Sequence, residues 1–164
     1  MRHLIIIALL STSLAACGSP NEVTLTGDDG KKVTLSAYKD GKTSTIKTAE
    51  GTMTATSGAS SIPFPAAAPE YPGATVTGSM SMDATVKGKG SSKSITLETS
   101  DAIAQVGAFY KAKVTAANLP ISAEMNSPEA FSLTSGDGSA GDTLSVLASA
   151  ENGKTSIVIT QSSK

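Results

Sequence analysis

The chain of 164 residues has one cysteine, one histidine and no tryptophan. Its only arginine, Arg2, and its only histidine, His3, lie at the extreme N-terminus. Each scarcity excludes a chemistry. Without an internal histidine there is no Ser-His-Asp triad, no imidazole base and no His-ligated zinc. A single cysteine cannot form an internal disulfide, so stability must come from packing. Without arginine in the body of the chain there is no bidentate fork for phosphate or carboxylate. Three tyrosines and three phenylalanines give few stacking platforms. With a net charge of −1, nucleic acid is not an expected partner.

What is present begins with "MRHLIIIALLSTSLAAC". Arg2 supplies a positive n-region, and "LIIIALL" is an apolar run far short of the roughly 20 residues a bilayer span needs. Charge, short apolar run and small residues read as a secretory signal peptide over residues 1–16. The run closes on Leu14-Ala15-Ala16-Cys17, followed by Gly18. This resembles the lipobox of bacterial lipoproteins. The resemblance implies cleavage before Cys17, acylation of its thiol and new amino group, and a membrane as partner through that lipid. It also explains why a secreted chain carries an unpaired cysteine. Gly18 in place of aspartate implies, by the same resemblance, the outer membrane facing the periplasm.

Residues 17–22 read as a lipidated tether. Over 23–57, short stretches of alternating Thr/Ser and aliphatic residues are split by "DDG" (28–30), "KDG" (39–41) and "AEG" (49–51). Such glycine turns predict a meander of about four strands. Its apolar positions, Val23, Leu25, Val33, Leu35 and Ile46, are sparse. Residues 58–73 contain Pro63, Pro65, Pro69 and Pro72 and read as a stiff linker, with Phe64 and Tyr71 apolar enough to pack on a neighbour.

Residues 74–164 predict β-β-α-β-β-β-β. The helix lies in "SDAIAQVGAFYKAKVTAANLP", capped by Ser100 or Asp101 and stopped at Asn118 and Pro120. Ile103, Val106, Tyr110, Val114 and Ala117 share one face, with Gly107 on the same side. The wheel makes Tyr110 the buried member of the adjacent aromatic pair, its hydroxyl reaching a polar partner or the sheet edge, and sets Phe109 at the flank. Asn152-Gly153 predicts a tight hairpin. The expected fold class is α+β: an N-terminal β-meander, then an antiparallel sheet with one amphipathic helix on one face. "YPGA" after the prolines, a strand ending in Thr and a helix containing "FY" resemble a pattern in uncharacterised secreted bacterial proteins, which implies no known activity.

The remaining motifs read as structural. Ser36-x-x-Lys39 fits the S-x-x-K of serine acyl-enzymes, but in a strand its side chains diverge. "GKTS" at 41–44 and 153–156 lacks the earlier glycine of a phosphate loop. Asp137 and Asp142 in "SGDGSAGD" lack calcium-loop spacing. Met80 and Met82 alternate as core or edge packing, and Lys87, Lys89 and Lys93 form a small basic loop. No residue is therefore assigned to catalysis, to a cofactor or to a metal, and Cys17 is the one assigned site. The expected function is a lipid-anchored cell-envelope protein, a non-catalytic binding or structural module. The alternative is an envelope enzyme using carboxylates or a Ser/Lys pair.

Overall fold

The computed structural model describes residues 21–28, 30–84, 90–136 and 142–163. Cys17, Lys87, Lys89 and Asp137 lie outside the described residues. Ten strands form one antiparallel sheet. They are β1 (Asn21–Thr26), β2 (Lys32–Ala37), β3 (Thr43–Lys47), β4 (Gly51–Ser57), β5 (Thr75–Ala84), β6 (Ser91–Thr99), β7 (Ile121–Asn126), β8 (Ala130–Ser135), β9 (Thr143–Glu151) and β10 (Lys154–Ser163). The spatial order is β1-β2-β3-β4-β5-β6-β10-β9-β8-β7. One helix among the described residues, α1 (Ile103–Ala116), packs on one face.

This corrects the α+β assignment. The molecule is a β-rich fold, nearly all antiparallel sheet, with one short helix. The meander and the C-terminal sheet are also continuous, because β4 pairs with β5 from Gly51↔Ala84 to Ser57↔Gly78. Alternation reads each strand correctly but says nothing of which strand a distant one joins.

The turns form where the glycines are. Gly30, Gly41 and Gly153 have φ of 74°, 65° and 77°, and Asn152 has φ 50°, the left-handed pair of the expected hairpin. The helix buries Ile103, Val106, Gly107, Tyr110 and Val114. They meet Ile95, Leu97, Phe131, Leu133, Val146, Ala148, Ile157 and Ile159 from the sheet. Each large side chain fully buried there contributes about 1.5–3 kcal/mol. The approach at Gly107 is close: a Cβ there would stand 2.8 Å from Phe131 Cδ2.

The helix begins at Ala102 rather than at Ser100 or Asp101. The Ala102 N–H donates to Gln105 Oε1 at 3.2 Å. Asp101 is engaged elsewhere, its carboxylate accepting from Tyr71 Oη at 2.8 Å and its carbonyl from Thr155 Oγ1 at 2.6 Å. Asn118 takes φ 55° at the C-terminal end, and Leu119 N–H returns to Val114 O at 3.2 Å.

Residues 58–73 connect the neighbouring strands β4 and β5. Ala67, Ala68 and Tyr71 are buried in the helix-covered core, with Ile62 and Phe64 packed against it. Tyr71 sits edge-on to Phe109 at 5.1 Å, and Phe109 edge-on to Tyr110 at 5.0 Å. Phe109 is half-buried and Tyr110 fully buried, as the wheel predicts.

Among the described residues, strands β1 to β4 carry no covering layer. Register sets their side chains in two opposed rows. Val23, Leu35, Ile46, Met53 and Met82 are successive cross-strand partners, so they form one apolar stripe across β1 to β5. Leu25, Val33 and Met80 extend it. Met80 pairs with Ser94 while the buried Ile95 pairs with Ser79, which puts the stripe on the face without the helix. The other face carries hydroxyls, with Thr24 bonded to Thr34 at 3.1 Å and Thr45 to Thr54 at 3.3 Å.

Candidate functional site

An open groove of about 500 Å³ lies at the C-terminal end of α1. Ala117, Leu119 and Pro120 come from the helix end. Pro65, Ala66 and Ala67 come from the proline-rich connection, and Leu144 from β9. Most of this lining is apolar. The polar groups at its margin are Ser135, Asp142, Thr143 and Gln161.

Local structure holds this lining in place. Asn118 turns the chain out of the helix, and Pro120 prevents its continuation. The Pro120 carbonyl then accepts Ser135 Oγ at 2.9 Å and Gly136 N–H at 3.3 Å. Ser122 Oγ donates to Gly136 O at 2.7 Å. On the opposite wall Ala68 N–H closes a turn onto Pro65 O at 3.0 Å. The walls are thus tied by hydrogen bonds to the backbone from both main-chain N–H groups and serine hydroxyls. A mostly apolar concavity with a few placed polar groups suits ligand binding.

Between helix and sheet the packing is tight, and one polar atom is left over. Tyr110 Oη is buried and has no hydrogen-bond partner among the described residues, so of the two expected placements, a polar partner or the sheet edge, the first is not found there. Burial, and secondarily the nearby Tyr71 and Glu70, raise its pKa above the ordinary tyrosine value. Tyr71 is raised as well, by burial first and then by its bond to Asp101. On the surface, Asp40 accepts the backbone N–H groups of Lys42 at 2.9 Å and Thr43 at 3.0 Å. These bonds lower its pKa and fix the β2–β3 turn.

The motifs read from sequence fall where a structural role places them. Ser36 lies in β2 and Lys39 in the turn after it. Both "GKTS" copies sit on hairpin turns. Asp142 lines the groove. Lys93 is exposed on β6. Met80 and Met82 are exposed, not packed in a core or edge as expected, because the sheet face they occupy has no second layer. No group of three or more His, Cys, Asp or Glu able to hold a metal occurs among the described residues. No helix among them is long and apolar enough to cross a membrane. The groove itself had no sequence signal: its lining comes from five separated stretches of the chain, around residues 65–67, 117–120, 135–136, 142–144 and 161.

An apolar groove at one end of a helix-covered sheet is compatible with a ligand-binding module. The sequence model of the START domain-like family matches residues 76–163, more than half of the chain, and the chain belongs to that family. The match begins in β5 and covers α1 and every groove residue except those of the proline-rich connection. No curated protein sequence and no solved structure matches the chain.

Proposed function

We propose that the protein is a lipid-anchored envelope module that binds an apolar small molecule, without catalysis, in the groove at the C-terminal end of α1. The groove carries the reading: about 500 Å³ of mostly apolar lining within hydrogen-bonded walls. Membership of the START domain-like family supports a binding role. The lipobox resemblance at Leu14–Cys17 supports an acylated Cys17 and an address on the outer membrane facing the periplasm. Few polar groups meet in the groove, and they suit orientation of a mostly apolar ligand better than acid–base work.

The test uses the neutral reporter 1-N-phenylnaphthylamine and a chain without tryptophan, so the optical background is low. Wild type should enhance the reporter's emission saturably. Ala117→Phe, at an exposed helix-end position, should obstruct the groove and sharply reduce that enhancement while leaving the thermal transition in place. Equal enhancement by both proteins would move the ligand site elsewhere.

A further inference from the structure

We infer that the apolar stripe across β1 to β5 is a second membrane contact, lying against the neutral acyl region of the bilayer in which Cys17 is anchored. The inference rests on the acylation of Cys17 proposed above. Three observations carry it.

The residues of the stripe are apolar and uncharged, and partly or fully exposed. Val23 and Leu25 are 55% and 57% exposed, and Met82 49%. Every charged residue within strands β1 to β5, namely Glu22, Lys32, Lys47 and Asp83, belongs to the opposite face by register. A shallow hollow of about 310 Å³ over Ile46, Met53 and Met82 deepens the stripe, its lining also taking in Glu50 and Asp83 at the strand ends. A single sheet layer with one apolar face normally buries it against a second layer.

The chain delivers this face to a membrane. Three residues lie between Cys17 and Asn21, the start of β1, so four residue steps join them. Fully extended, they reach at most about 14 Å. Acylation would therefore hold β1 within that distance of the headgroups, at a high effective concentration.

The size fits a tethered contact better than a second copy. Five strands about 4.8 Å apart and two to three side-chain rows make a patch of about 350 Å². A stable complex needs about 800 Å² per partner. A patch of that size adds to an anchor that already holds the chain, but is small for a dimer. Lacking lysines, the face should not depend on anionic lipid.

The experiment takes the chain with residues 1–16 removed and couples Cys17 chemically to a maleimide-headed lipid. The vesicles are phosphatidylcholine containing a diazirine in the acyl chain. Photolabelling should fall on stripe residues such as Leu35, Met53 and Met82 and spare Thr34, Thr45 and Thr54. The pair Leu35→Glu and Met53→Glu should lose the labelling. The pair Thr34→Glu and Thr54→Glu should retain it. Addition of phosphatidylglycerol should change nothing.

Labelling that is absent, equal on both faces or dependent on phosphatidylglycerol would overturn the inference. So would vesicle-free self-association that the stripe substitutions abolish, because a second copy would then cover the face. Since the lipid is attached chemically, the native mass of Cys17 tests the anchor separately. A chain unacylated in its host would remove the anchor reading without altering the labelling result.

Discussion

Gly107→Ala tests the closest approach in the core. In an exposed helix interior the change would stabilise by about 0.8–1 kcal/mol through helix propensity. Here the new Cβ would stand 2.8, 3.0 and 3.1 Å from Phe131 Cδ2, Cγ and Cε2. Carbon atoms in contact prefer about 3.5–4.0 Å. The ring cannot swing into solvent, since Phe131 is buried among Leu133, Val146 and the helix. Overpacking of this kind costs about 1–3 kcal/mol. The clash outweighs propensity, and the net loss should be about 1 kcal/mol, or about 2–4 °C in melting temperature. Urea unfolding followed by circular dichroism measures it. In a Phe131→Leu background the flat ring edge is gone, and Gly107→Ala should then be neutral or stabilising. The double-mutant cycle should give a coupling of about 1–3 kcal/mol. A Gly107→Ala protein more stable than wild type would refute the reasoning, because the helix would then not rest on Phe131.

Tyr110→Phe removes a buried hydroxyl without a partner and should leave stability unchanged or raise it by about 1–3 kcal/mol in urea melts. Tyr110→Ala should cost about 3–5 kcal/mol, and half-buried Phe109→Ala less. The raised pKa values of Tyr71 and Tyr110 mean that the folded chain keeps protons the unfolded chain releases near pH 10. Their contribution is full below that pH and is lost as pH rises above it; urea midpoints should fall there, and less steeply in Tyr71→Phe. Cys17→Ser should leave the chain uncleaved and unacylated in its host, read by intact mass and detergent partition.

Local chemistry made the strands, turns and helix face legible. Asp-Gly and Asn-Gly pairs marked the hairpins because few other residues accept positive φ. The face holding Ile103, Val106, Tyr110 and Val114 followed from a period of 3.6. What stayed hidden is non-local. Residues 58–73 read as a stiff spacer from their prolines, yet Ala67, Ala68 and Tyr71 enter the core. Small apolar residues carry little pattern of their own. Val23, Leu35 and Ile46 looked like the sparse insides of a weak meander. Only the pairing register aligns them with Met53 and Met82, and only the absence of a facing layer leaves them exposed. The groove was hidden for the same reason.

The strand order places β10 between β6 and β9, although in sequence it follows every other strand. It brings Ile157 and Ile159 to the centre of the core. The chain therefore emerges from synthesis with its sheet open down the middle. Until residues 154–163 arrive, β6 and β9 each present an unpaired edge, and the helix has only part of its floor. Closure couples segments more than fifty residues apart, which slows folding. A chain ending before Lys154 would retain both open edges permanently, a template for edge-to-edge aggregation.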